Sequence, residues 1–151
     1  MRKPFHRMFL LTFVLLTISF AAIAQDKAEP SLYKRLGGYD AIAAVTDDFI
    51  PRLATDPLLA KFFAGHSVDS KKHLRQLVVE KVCEATGGPC FYTGRTMKEA
   101  HNGLGITEEQ WATSNKHFVA TLEKFNVPKK EQDELVAIIA SLKGEIVTTG
   151  K

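Results

Sequence analysis

The stretch Gly87-Gly88-Pro89-Cys90-Phe91-Tyr92-Thr93-Gly94-Arg95-Thr96-Met97-Lys98-Glu99-Ala100-His101 organises the reading of this chain. Its double glycine and proline end the helix before it, because Gly is a poor helix-interior residue and Pro lacks the N–H donor. The residues from Arg95 to Asn102 then predict a short helix stopped by Gly103, with His101 near its end. Upstream, Leu74, Leu77, Val78 and Val82 fall on one helical face. Downstream, Thr107 and Gln110 have the spacing of a capping box and open a long helix carrying Trp111, Phe118, Leu122 and Phe125. Val127-Pro128 turns into a last helix with Leu135, Ile138, Ile139, Leu142 and Ile146 on its apolar face. Toward the amino terminus, Ile42, Val45, Phe49 and Leu53 mark a helix from Asp40, in which Pro51 predicts a kink or an end near Ile50. Ser31 caps a short helix that Gly37-Gly38 ends, and Asp56-Pro57 begins another that carries Leu59, Phe62 and Phe63. Gly65 to Ser70 reads as a loop. No segment alternates with the period of a strand, so the fold class is all-α.

The chain has 151 residues, 45% of them hydrophobic and 25% charged, which excludes disordered, collagen-like and coiled-coil classes. Its formal charge of +3 comes from Arg2, Lys3 and Arg7, and from Gln25 onward cations and acids balance. A nucleic-acid binder is therefore not expected, since such binding rests on clustered cations. The three cations precede an apolar run from Met8 to Ile23, and Ala22-Ile23-Ala24 fits the small-x-small cleavage rule. Residues 1–24 thus read as a signal peptide cut after Ala24, residues 25–30 as a flexible tail and residues 31–151 as one domain. The expected location is exported, periplasmic, with the membrane touched only through an uncleaved signal segment.

Cys83 and Cys90 are the two cysteines. They either join across the Gly-Gly-Pro turn, as an oxidising compartment permits, or sit as two small buried apolar side chains. Two thiols alone do not make a structural zinc site, and their spacing is not that of a redox pair. His66, His73, His101 and His117 lack paired-ligand spacing, and no nucleophile elbow or phosphate-cradling loop occurs. Taken alone, His101 on a short helix suits one-sided haem ligation or an ordinary hydrogen-bonded histidine.

From Ser31 to about Leu142 the sequence resembles the truncated haemoglobins of group I. The resemblance rests on an ordered series: Leu32-Tyr33 with Gly37-Gly38, Asp48-Phe49, Phe62-Phe63, Gly87-Gly88-Pro89, Tyr92-Thr93-Gly94, Met97 through His101, Gly105-Ile106-Thr107 and Val127-Pro128. It implies a truncated globin, a two-over-two helical sandwich, with b-type haem as cofactor. It implies His101 as the proximal iron ligand, its other ring nitrogen donating to a backbone carbonyl. Phe49 and Phe63 match aromatics against the haem, and Tyr92, Met97, Ile106 and Ile139 match residues at its edge. Leu74, Leu77 and Val78 would face the iron from the other side, with His73 as a partner for a haem propionate; His73 or His66 would otherwise serve as a second axial ligand. Lys34-Arg35, Lys71-Lys72 and Lys129-Lys130 read as solvated charges, and His117 is given no site.

The distal side departs from the family pattern. Ile50 stands where many members have Tyr, and Val78 where a Gln is common. Each missing donor weakens oxygen retention by about 1–2 kcal/mol, roughly tenfold. Ser114 would supply a replacement unless its hydroxyl bonds its own helix backbone. The resemblance therefore implies an exported haem protein that reversibly binds a diatomic gas, oxygen or nitric oxide. The alternatives are a haem enzyme, a nitric oxide dioxygenase or peroxidase-like, and a haem electron-transfer protein.

Overall fold

The N–H groups that a helix's first turn leaves free need partners, and at three of this protein's helix starts a side chain supplies one. The computed structural model describes residues 29–148, which hold seven helices, one 3-10 turn and no strand. They are α1 (Leu32–Arg35), α2 (Gly38–Thr55), the turn Ala60–Phe62, α3 (Val68–Ala85), α4 (Met97–His101), α5 (Glu108–Lys124), α6 (Lys129–Ser141) and α7 (Lys143–Ile146). Residues 1–24, the expected signal peptide, lie outside the described residues. Of the expected tail, Glu29 pairs with Lys130 and the Pro30 carbonyl accepts from Arg35 Nη1 at 2.7 Å.

The capping box expected at Thr107 is formed: Thr107 N–H donates to Gln110 Oε1 at 3.0 Å, and Gln110 N–H to Thr107 Oγ1 at 3.3 Å. A second box, Thr96 with Glu99, starts α4 in the same way. Ser67 Oγ accepts from Ser70 N–H at 3.1 Å, so α3 begins inside the stretch expected to be loop. The segment after Pro57 winds only one 3-10 turn, with Asp56 Oδ1 holding Leu58 N–H at 2.8 Å. The last helix is divided near Leu142 into α6 and α7.

Pro51 does not end α2, which runs on to Thr55. Its ring is on the exposed side, so only one donor is lost. Across it, Arg52 Nε bonds Asp48 Oδ2 at 2.6 Å and Thr55 Oγ1 donates to the Pro51 carbonyl at 2.9 Å. The extra turn brings Leu53 to the interior cavity described below.

The helices form two layers, α2 with α3 and α5 with α6, joined by the packing of α2 on α5. Gly37 and Gly38 turn the chain from α1 into α2 at φ of 94° and 81°, a region that favours glycine. One core cluster, Leu32, Phe118, Leu122 and Leu135, lies where α1, α5 and α6 meet; the other, Ile42, Ala43, Val79 and Cys83, lies between α2 and α3. Arg35 is not solvated as its sequence context suggests. It bridges α1 to α6, with Nε on Glu131 at 3.1 Å and a second bond to Glu134, and it satisfies a glutamate that is only 8% exposed. Lys34 is exposed.

Cys83 and Cys90 are joined by a disulfide, with their Cα atoms 5.7 Å apart. The turn that allows it is tight. A Cβ on Gly88 would stand 2.5 Å from the Tyr33 ring, 2.6 Å from Cys83 Sγ and 2.8 Å from the Cys83 carbonyl. Gly88→Ala is therefore expected to destabilise the protein by about 1–3 kcal/mol, read as a lower denaturant midpoint at unchanged slope.

Two carboxylates tie the layers and set the acid limit. Asp48 is held below the usual carboxylate range by hydrogen bonds from Lys124 and Arg52, and Asp56 by His117, whose Nε2 lies at 2.8 Å, and by Leu58 N–H. Their folded pKa values are depressed, so their stabilisation is complete above about pH 4 and disappears as pH falls through the folded values. Melting temperatures measured from pH 6 to pH 2 should fall below pH 4, and Asp48→Asn should flatten that fall while lowering the neutral-pH melting temperature.

Candidate functional site

A cavity of about 570 Å³ lies between the two core clusters, walled by Ile42 of one and by Phe118, Leu122 and Leu135 of the other. That volume is within the range of cofactor sites, roughly 300–1,000 Å³. From α2 come Phe49 and Ile50, and from the turn after it Phe62 and Phe63. Helix α3 supplies Leu74, Leu77 and Val78; Tyr92, Met97 and His101 come from the stretch that ends in α4. Ile106, Ser114, Ile139 and the exposed His66 complete the set of site candidates from the sequence that reach this space. His73 does not line it. It lies exposed on α3, one residue from Leu74 and turned away from the cavity face.

His101 is half-buried, and its Nδ1 donates to the Met97 carbonyl one turn back, at 2.8 Å. A carbonyl only accepts, so the proton sits on Nδ1 and Nε2 keeps its lone pair for another ligand. This is the arrangement that orients a metal-binding imidazole. The loop before α4 is fastened to α3 in three ways. The disulfide ties Cys90 to Cys83. Glu84 accepts from Tyr92 N–H at 3.2 Å, and Glu80 from Thr93 N–H and Oγ1 at 3.3 and 2.9 Å. The Glu80 carboxyl is held below its usual range by Gln76 and Thr93, the Glu84 carboxyl by Tyr92 N–H and Lys81. Tyr92 OH donates to the Arg95 carbonyl at 2.8 Å, which closes the loop onto the start of α4.

Sequence reasoning missed several wall residues. Lys81 continues the series Leu74, Leu77, Val78 by one more turn and was legible in that spacing; its Nζ lies 4.9 Å from the centre of the Tyr92 ring. Arg95, exposed, is a second cation at the cavity. On α5, Gln110, Trp111 and Asn115 join Ser114 in the wall. Ser114 does not bond its own helix: among the described residues its hydroxyl makes no hydrogen bond, whereas Thr121 on the same helix bonds the His117 carbonyl at 3.0 Å.

The donor set fits haem. The walls are largely apolar, His101 keeps one ring nitrogen available, and two cations, Lys81 and Arg95, line the cavity and would partner the carboxylates of a flat apolar group. Among the described residues no group of three or more His, Cys, Asp or Glu could itself hold a metal ion.

A family model described as bacterial-like globin matches residues 31–148. The chain is 37% identical over 123 residues to the Group 1 truncated hemoglobin GlbN of Mycolicibacterium paratuberculosis, an alignment covering 81% of this chain and 88% of that one. It is 33% identical over 118 residues to the corresponding protein of Synechocystis sp., covering 76% and 90% of the two chains. Among solved structures, the truncated hemoglobin of Tetrahymena pyriformis in its Fe(III) form superposes with a TM-score of 0.73 at 23% identity, covering 80% of this chain and all of that one. The 2/2 hemoglobin of Synechococcus sp. PCC 7002, in the cyanomet state with covalently attached heme, gives 0.70 at 26% identity over 78% of this chain and 98% of that one.

Proposed function

This chain belongs to the bacterial-like globin family, as a truncated haemoglobin of group I with haem as its cofactor, and we propose that it works outside the cytoplasm, binding a diatomic gas reversibly at iron held by His101. The observation that carries the assignment of the iron ligand is the bond from His101 Nδ1 to the Met97 carbonyl, which leaves Nε2 for the cavity. Bound haem would supply an iron able to bind oxygen or nitric oxide. His101 is fixed in tautomer and direction by Met97, and the capping box at Thr96 and Glu99 holds the short helix on which it rides. Lys81 and Arg95 would take the haem carboxylates, a role for which His73 is badly positioned. Ile50, Leu74, Leu77 and Val78 line the cavity with apolar side chains that offer no hydrogen bond. That composition favours easy release, and so exchange or transport over long storage.

Export is supported by the basic head and apolar run of residues 1–24 and by the Cys83–Cys90 disulfide, a bond suited to an oxidising compartment such as the periplasm. No helix among the described residues is long and apolar enough to cross a membrane.

Two experiments test this. The purified protein should show a Soret band, and His101→Ala should lose it or release haem far faster; an unchanged spectrum in that variant would remove His101 from the iron. When the whole chain is expressed in a bacterium, the protein recovered from the periplasm should begin at Gln25 and contain no titratable thiol; retention in the cytoplasm with Met1 intact would overturn the export reading.

A further inference from the structure

We propose that a groove between α2 and α3, separate from the haem cavity, binds a free long-chain carboxylate, with its alkyl chain on an apolar floor and its head at Lys71 and Lys72. The groove encloses about 750 Å³ and is open to solvent. On α3 it is lined by Val68, Lys71, Lys72, Arg75 and Gln76, which the three- and four-residue spacing puts on one helical face. The haem cavity takes Leu74, Leu77, Val78 and Lys81 from the same helix, so the two spaces use different faces of it. Thr46, Ile50 and Phe63 line both and stand between them. A group filling the cavity therefore leaves the groove vacant for a second ligand.

The floor comes from how the two helices meet. The start of α2 packs closely on the end of α3, where Ile42, Ala43, Val79 and Cys83 form a buried cluster. At the other end, where the last turns of α2 face the first turns of α3, the packing is open. Ile50, Pro51 and Ala54 of α2, Phe63 beyond it and Val68 of α3 line the groove, and none of them is fully buried. Val68 is 69% exposed, although it is a large apolar side chain. Apolar surface gathered in a concavity is the usual floor of a small-molecule site. From Val68 to Gln76 the helix rises about 12 Å, a length suited to one alkyl chain.

The charges select the head group. Three cations line the groove against one carboxylate, Asp47. Arg75 and Asp47 answer each other, Nε donating to Oδ1 at 2.8 Å and Nη2 to Oδ2 at 2.9 Å. The remaining neutral polar side chains of the lining are also engaged. Thr46 donates to the Ile42 carbonyl at 2.8 Å, Thr55 to the Pro51 carbonyl at 2.9 Å and Gln76 Nε2 to Glu80 at 3.0 Å. Two ammonium groups are left. Lys71 forms no ion pair among the described residues, and Lys72 reaches Asp69 only at 3.7 Å, with both side chains mostly exposed. An ammonium group only donates, so the pair calls for an acceptor with negative charge. Adjacent cations at the edge of an apolar strip match a carboxylate on a hydrocarbon chain, and they discriminate against neutral or cationic amphiphiles.

The test titrates the haem-loaded protein calorimetrically with monomeric alkyl carboxylates, haem keeping them out of the cavity. Affinity should rise about twofold to fourfold per added methylene from octanoate to dodecanoate, then level off as longer tails leave the groove. Dodecanol, with the same chain and no charge, should bind about tenfold more weakly than dodecanoate. Replacing both lysines, Lys71→Ser with Lys72→Ser, should weaken dodecanoate binding about threefold to tenfold, and Val68→Asp by about tenfold or more. Lys34→Ser, also at an exposed position, should leave it unchanged; all of these side chains are exposed, so the fold is not at stake. Absence of binding by the parent, or equal binding by the parent and the groove variants, would overturn the proposal. Attachment to phosphatidylglycerol vesicles without binding of monomeric dodecanoate would overturn it too, in favour of a membrane contact. A parent without a Soret band would be a failure of the haem reading alone, and the comparison of variants would still decide the groove.

Discussion

The helices of this protein have to be held apart as firmly as they are held together. An apolar cavity of about 570 Å³ runs through the interior, a space that the side chains of the two core clusters do not fill. The fully packed clusters on either side are small, four buried residues each. A cofactor filling the space becomes the third and largest part of the core, and the stability of the fold is then bound to its occupancy.

The devices that keep the hole open are at its edges. Arg35 spans from α1 to α6 at one side, answering a buried glutamate, and the disulfide with Glu80 and Glu84 fixes the loop before α4 at the other. Helix α4 has five residues, too few to stand by its own propensity. It persists because a capping box starts it, the clamped loop delivers it and α7 packs on it. His101 inherits its position from all three. The reactive nitrogen is therefore placed by groups that never touch the ligand it would bind.

Much of this was legible in the amino-acid sequence because it rests on local rules. Helical periodicity located α2, α3, α5 and α6, and the Thr107–Gln110 spacing gave the start of α5. The wall positions on α3 followed from a three- and four-residue spacing that, extended by one turn, also contains Lys81. Other features depend on what lies across the fold. Arg35 reads as one of two adjacent surface cations until α6 brings Glu131 to it. Pro51 reads as a terminator because the rule counts a lost donor and not the exposed side on which its ring lies. The engagement of Thr121 and the idleness of Ser114 are invisible in sequence, since both are hydroxyl residues on the same helix and differ only in what they face.

The disulfide carries a consequence in time as well as in space. Cys83 is wholly buried, under Val79 and the tight turn at Gly88. A thiol there can be oxidised only while α3 and the loop after it are still loosely docked, so bond closure belongs to the assembly of the protein and precedes the sealing of its interior. Once the interior is sealed the Cys83 sulfur is out of reach, and only the half-buried Cys90 side of the bond faces the surroundings. The loop that governs His101 is set at the birth of the molecule.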